Sequence, residues 1–398
     1  MDSDYVLMLK TAQSELRAWK NLPKSVKDHI LPVVELSRGR KASRDDDLDG
    51  PSLRNLPGAY AFRRSATNTF ETLKDQGTII LDVTREDSLS CHELDALSDS
   101  TDGYQAWRDF VASSAKVVNS IIPTIIINPK DTDTPQQYSQ DLFAQIDALF
   151  QSYPGVAYRA SVLEDSDFLY DISLLRDRIN INIDNGKKFI LIMDHEFIRP
   201  STGTIHAVRT SGLVNRAFDL IPGANVVIMA TSFPKSIEDI GNSEHDTFPI
   251  EERYLFEQVK NNTKSENYKV TYGDYGSINP QRNDMITTGW RPRIDFPTPN
   301  RRTFYYREKR NMIGRDTITN KPIYDDYSSH YKSVANKVIL DPQFAALPNS
   351  WGCDQIMLAA NSIVPGKNPS FWISVRMEIH VQQMVRTLNN VGSDVITT

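Results

Sequence analysis

The chain has 398 residues, of which 39% are hydrophobic and 24% charged, enough apolar material for a large core and too much for wholesale disorder. Its net charge of −6 gives no global electrostatic reason to bind nucleic acid, although a local basic cleft remains open. The two cysteines, Cys91 and Cys353, lie far apart, make no metal-ligand pair by spacing and argue against a disulfide framework.

The opening Met1-Asp2-Ser3-Asp4 is acidic, unlike the basic start of a secretory signal, and no run nears the roughly 18 apolar residues of a membrane span. The expectation is a cytoplasmic protein without membrane contact. Tyr5 to Leu9 reads as a short strand ending at Lys10. A helix follows from Thr11 to Trp19, with Thr11 or Ser14 as cap and Glu15 suited to the positive helix end. Ile30 to Leu36 is a second strand with Glu35 near its carboxyl end. Ser37 to Pro57, with Arg44-Asp45-Asp46-Asp47, is a polar insertion that reads equally as a lid or a solvated loop.

Phe70 to Gln76 is predicted helical and Thr78 to Val83 a third strand carrying Asp82. Tyr104 to Asn119 is an amphipathic helix, Ile121 to Ile127 a fourth strand ending at Asn128-Pro129, and Tyr138 to Tyr153 a helix broken by Pro154-Gly155. Val156-Ala157-Tyr158-Arg159 is the fifth strand, and Asp171 to Ile183 the next helix. The sixth strand, Lys187 to Glu196, carries five consecutive apolar residues and then stops on Asp194, His195 and Glu196. An apolar run without alternation describes a strand covered on both faces, as in a parallel sheet wrapped by helices. After it come helix His206 to Leu220, strand Asn225 to Ala230, helix Glu251 to Lys260 and strand Tyr268 to Tyr272, followed by Gly273-Asp274-Tyr275-Gly276.

Eight strand signals alternating with helix signals predict an α/β fold, a TIM-like (β/α)8 barrel over residues 1–282, with an open doubly wound sheet as the alternative. Beyond it the texture changes. Arg301 to Arg307 is strand-like, Trp351 to Ala360 and Trp372 to Leu388 are helical, and residues 283–398 read as an α+β appendage packed on the barrel.

Three stretches resemble the beta protein family of phages and bacteria. Tyr5-Val6-Leu7-Met8-Leu9-Lys10, with Glu15 after it and Ile30-Leu31-Pro32-Val33-Val34-Glu35, is similar to that family's opening Tyr-x-Pro-x-x-Lys, Gly-Glu and Pro-x-x-Glu segments. Gly273-Asp274-Tyr275 agrees, as do Trp351-Gly352, Gly366 to Trp372 and His380. Leu7 stands where the family has Pro, and Ser14 where it often has Gly. The resemblance implies a cytoplasmic role in phage–host conflict and supplies no catalytic residues.

In a closed barrel the strand ends converge on one mouth, so Lys10, Glu35, Asp82, Asn128, Arg159, Asp194, His195 and Asp274 are expected as neighbours. Lys10, Glu35, Asp194 and His195 are the catalytic candidates, and Asp82, Arg159, Asp274 and Tyr275 the ligand-binding ones. Four carboxylates together need cations, from Lys10 and Arg159 or from a divalent ion. Carboxylate oxygens suit Mg²⁺ or Mn²⁺, but no residues are assigned as metal ligands and the cofactor is unknown. For each single acid, capping of the next helix is an equally good reading.

Arg291, Arg293, Arg301 and Arg302, interleaved with Trp290, Phe304, Tyr305 and Tyr306, make the best nucleic-acid patch, although the same aromatics suit a core. Phosphate-loop, nucleophile-elbow and zinc-helix motifs are absent. Two functions stay open. One is a recognition component, phage-borne or antiphage, that uses the polar mouth and a protein partner. The other is a hydrolase or phosphodiester-cleaving enzyme with an acidic, metal-assisted site at the strand ends.

Overall fold

A computed structural model describes residues 4–40, 61–130, 132–163, 167–265, 267–281 and 290–390. The polar insertion expected at 37–57 lies outside the described residues from 41 onward. The chain forms two compact units. The first comprises residues 1–12, 27–231 and 251–275 and the second 13–26, 232–250 and 276–398. The longest segment of the second unit thus begins near the change of texture expected at 282, and two shorter segments join it.

The first unit is built on eight parallel strands. In chain order these are β1 (Tyr5–Lys10), β2 (Ile30–Leu36), β3 (Ile79–Val83), β4 (Ile121–Pro123), β5 (Gly155–Ser161), β6 (Lys188–Phe197), β7 (Asn225–Thr231) and, after the intervening β8 (His245–Pro249) of the second unit, β9 (Lys269–Asp274). Their hydrogen-bonded order is β4-β3-β2-β1-β9-β7-β6-β5. The two ends of that order meet at a single parallel bridge, Thr124 with Ala157, where Ile125 N–H donates to the Ala157 carbonyl at 2.8 Å. The sheet is therefore a nearly closed barrel, and the expected eight alternating strands are all present.

Side chains on a strand point alternately to opposite faces. Here Val6, Met8, Leu31, Val33, Ile80, Ile122, Ala157, Ile190, Ile192, Val227, Met229 and Tyr275 meet in one buried cluster, which defines the inward face. The outward residues, such as Leu7, Leu9, Val34 and Leu191, are buried as well. That double burial is why the strands read as apolar runs and not as alternating ones. The helices of this unit supply the outer cover, among them Pro135–Ser152, capped by Thr134 with Pro135 in the first turn, and Gly203–Leu220.

The second unit is α+β. Strands β10 (Arg293–Thr298) and β11 (Arg302–Arg307) pair antiparallel, and β11 pairs on its other side with β8. Ile294 and Phe296 pack with Val334, Val338, Ile356, Val375 and Ile379, which come from the helices Tyr327–Ile339, Trp351–Ala360 and Pro369–Asn390. Helix Gln13–Asn21 belongs here, with Arg17 over the Phe371 ring at 5.5 Å. A buried pair, Arg376 Nη1 to Asp295 Oδ2 at 2.6 Å, fastens the terminal helix to β10. A separate ribbon is formed by β12 (Met312–Arg315) and β13 (Pro322–Tyr324). No helix among the described residues is long and apolar enough to cross a membrane.

Strand β5 begins at Gly155 because a Cβ there would sit 2.6 Å from the Lys188 carbonyl of β6. Backbone cannot yield as a flexible side chain can. Gly155→Ala is expected to destabilise the protein by about 1–3 kcal/mol, read as a lower urea midpoint at unchanged slope. An unchanged midpoint would mean that β5 and β6 do not meet in this register.

Candidate functional site

The inward positions at the carboxyl ends of the strands are polar where the rest of the barrel interior is apolar. Lys10, Glu35 and Asp82 lie level on β1, β2 and β3, since Lys10 is in register with Glu35 and Glu35 with Asp82. From β5, Arg159 extends into the centre of this ring. Its Nε donates to Asp194 Oδ2 at 2.7 Å, its Nη1 to Asp82 Oδ2 at 2.9 Å and to Glu35 Oε2 at 3.0 Å, and its Nη2 to the Tyr275 hydroxyl at 3.1 Å. Every nitrogen of the guanidinium is engaged.

The acids have further partners. Lys10 Nζ donates to Glu35 Oε1 at 2.9 Å, Thr124 Oγ1 to Asp82 Oδ1 at 2.8 Å, and the Tyr275 hydroxyl to Asp194 Oδ2 at 2.5 Å. Arg85 bonds the Arg159 carbonyl through its guanidinium. Lys10, Glu35, Asp82, Arg159, Asp194 and Tyr275 are all buried. Formally, three carboxylates face two cations, a net −1. Burial alone would raise the Glu35 carboxyl, but Lys10 and Arg159 beside it, with a hydrogen bond from Thr84, bring it down to about 2. Burial and the neighbouring Asp194 raise the Tyr275 phenol, so it remains a donor.

The end of β6 departs from regular geometry. Pairing with β7 shifts between Asp194 and Phe197, and Glu196 takes a left-handed backbone with φ 54°. The Glu196 N–H turns back onto Asp194 Oδ1 at 2.8 Å. Such bulges re-aim side chains at strand ends. This one brings the half-buried Glu196 to Ser161, whose Oγ donates to Glu196 Oε1 at 3.3 Å. The half-buried Glu196, bonded to the buried Ser161, thus stands beside the buried ring.

Two expected members face the other way. His195 follows the inward Asp194 and so points outward, against helix Gly203–Leu220. There its Nε2 meets Thr210 Oγ1 at 2.9 Å and its ring meets His206 edge-on at 5.5 Å. Burial, then the nearby His206, lowers its imidazole to about 3, which leaves it neutral. Asp274 is likewise one residue out of phase with Tyr275. It accepts from the Tyr5 hydroxyl at 2.6 Å and the Tyr272 hydroxyl at 2.7 Å, both on outward positions. Asn128 lies beyond β4 and bonds Tyr104 and Ser98 instead of the ring. Thr124, Ser161 and Arg85 were not anticipated, although counting by twos from Ile122 and Arg159 selects the first two.

The basic segment at 291–302 is drawn into the second unit's own structure. Arg293 pairs with Asp295 at 2.9 Å, and Arg302 Nε donates to Thr247 Oγ1 at 3.2 Å. Arg301 occupies the turn after β10 with φ 59°, and Arg291 is half-buried. Tyr305 is buried, Phe304 and Tyr306 pack on the core, and Trp290 stacks on Tyr327 at 4.4 Å. The arginines and aromatics do not interleave on one open face.

A family model described as Beta protein matches residues 5–386, and the chain belongs to that family. A curated relative, "Protein beta" of Enterobacteria phage P4, is 24% identical over 391 residues, covering 96% of this chain and 92% of that protein. No solved structure matches the chain.

The lowered Glu35 carboxyl has a direct consequence for stability. An acid whose folded value lies below its unfolded one contributes stability above the unfolded value and loses it as pH falls through the folded one. For Glu35 that window runs from its ordinary 4.5 down to about 2. Lys10→Met is expected to flatten the decline of the urea midpoint across this window, because Glu35 then keeps one cation instead of two. Identical pH profiles for variant and wild type would remove the Lys10–Glu35 pair from acid stability.

Proposed function

We propose that this member of the beta protein family is a recognition component in phage–host conflict. In this reading the TIM-like barrel binds a phage or host macromolecule at its polar mouth. One observation carries it: the buried Arg159 guanidinium gathers Glu35, Asp82, Asp194 and Tyr275 into a ring whose members satisfy one another. A general base needs a titration point near the working pH, and a nucleophile needs an available lone pair next to a base. Glu35, at about 2, is a weak base, and both oxygens of Asp194 accept hydrogen bonds. His195 faces away from the ring. Such a centre is suited to holding a shape and a charge pattern. Contact with a partner then falls to the rim, where the half-buried Glu196 stands.

The relation to a phage protein supports the biological setting, and the cytoplasm is the location proposed with it. Fold alone does not carry function, so the test addresses the site. Glu196→Gln is expected to weaken a complex recovered from phage-infected cells by about tenfold, roughly 1.4 kcal/mol, while leaving the melting temperature unchanged. A second arm assays turnover of nucleotides, sugar phosphates and phosphodiesters with Mg²⁺ or Mn²⁺. Turnover by the wild type that Asp194→Asn abolishes would replace recognition with the hydrolytic reading.

A further inference from the structure

Beyond β11 the chain runs out into the β12–β13 ribbon, and every residue of both strands is exposed. Residues 309–325 carry Lys309, Arg310, Arg315 and Lys321 against Asp316 and Asp325, four positive charges less two, or +2, with Arg310 and Asp325 paired at 4.0 Å. The whole chain is −6, so the remainder is −8. Asp316 is turned onto its own loop, accepting from the backbone of Ile318 and Thr319 and from the Thr319 hydroxyl. Lys309, Arg315 and Lys321 have no acidic partner among the described residues, and Arg315 Nη1 donates only to the Asn320 carbonyl at 3.1 Å.

Apolar side chains share this surface. Met312, Ile313 and Ile323 are exposed, and Ile318 in the connecting loop is 92% exposed. Exposed apolar residues in such density mark a contact surface. A lone two-stranded ribbon is marginally stable in water, yet this one is held at its stem. Asn311 bonds Asp325 through both its backbone N–H, at 3.1 Å, and its side-chain amide, at 3.0 Å. The Arg310 guanidinium lies over the Tyr327 ring at 3.8 Å, and the His330 ring sits between Glu308 and Asp325, 2.8 Å from each. The base is fixed, with Arg310 also 5.2 Å from the Tyr324 ring, while every residue of both strands stays exposed.

We propose that this ribbon is a docking arm for a nucleic-acid duplex. The major groove admits a two-stranded β-ribbon, phosphates flank it on both sides, and apolar side chains meet thymine methyl groups or wedge between base steps. Arg315, opposite Pro322 at the end of β12, and Lys321, just before β13, supply the phosphate contacts, and Ile318 at the tip supplies the apolar one. Positive charge set against the sign of the rest of the chain favours a polyanion over an apolar protein surface. The proposal does not depend on the role of the barrel mouth.

The experiment is fluorescence anisotropy of the full chain with a short labelled duplex DNA across a salt series, with duplex RNA and the single strand as comparisons. Wild type is expected to bind duplex with a steep salt dependence. Arg315→Gln combined with Lys321→Gln is expected to lose about tenfold in affinity and to reduce the log–log salt slope by about 2, one for each phosphate contact removed. Ile318→Ser is expected to weaken binding at an unchanged slope. All three side chains are exposed, so the melting temperature serves as a fold control. Absence of duplex binding at low salt, equal binding by wild type and both variants, or ribbon-dependent binding to a protein without duplex binding would each overturn the proposal.

Discussion

A buried guanidinium that must satisfy five N–H groups at one point is the constraint on which the barrel's upper end depends. Arg159 reaches across the interior and meets acids from β2, β3 and β6 and a phenol following β9. Removing a charge of this kind from water costs several kcal/mol, recovered only when partners stand in correct geometry. Each of those strands must therefore present its polar inward residue at the same level. A slip of one residue would turn an outward apolar side chain, such as Val34 or Leu81, toward the guanidinium. Well-packed apolar residues can replace a buried ionic cluster without loss of stability, so the ring is better understood as a device for register than as a source of stability.

The same two-residue period decides what the mouth contains. Asp194 and Tyr275 face inward, and that alone sends His195 and Asp274 to the outer face, where each finds partners suited to an apolar setting. His195 stays neutral against Thr210, and Asp274 is met by two phenols. The bulge after Asp194 is the exception that the period permits. It breaks the alternation once, in a left-handed residue, and thereby brings a second acid, Glu196, to the rim. Backbone strain at the end of a barrel strand, adjoining the most elaborate hydrogen-bond network in the unit, accords with a contact site there.

The second unit handles charge differently. Arg376 lies over the Phe233 ring at 3.6 Å while bonding Asp295, and burial lowers its guanidinium to about 10. Arg307 donates to the carbonyls of Gly241 and Ser243. These arginines are structural cement between β8, β10, β11 and the terminal helix. Lys309, Arg315 and Lys321 of the ribbon have no acidic partner among the described residues, and every residue of both ribbon strands is exposed. A basic segment in a sequence can thus be core, strand edge or free arm, and only the pairing of its neighbours distinguishes them.

The alternation of strands and helices can be read from the chain, because strands covered on both faces require continuous apolar runs and their ends require polar residues. All eight barrel strands were legible in it, as was the convergence of Lys10, Glu35, Asp82, Arg159 and Asp194. Membership of the beta protein family was legible too, in stretches near both ends of the chain and at Gly273-Asp274-Tyr275. Tertiary structure alone decided which face each end residue takes, because the phase of an apolar run that is buried on both sides leaves no mark in composition. It also decided that Arg159 is the centre of the ring, since a central position depends on reach across the barrel from strands far apart in sequence. The fate of the 291–302 arginines followed the same rule. Arg293 meets Asp295 two residues along its own strand, whereas Arg302 meets Thr247 on a strand contributed some fifty residues earlier, a partner set by sheet pairing that local sequence does not encode.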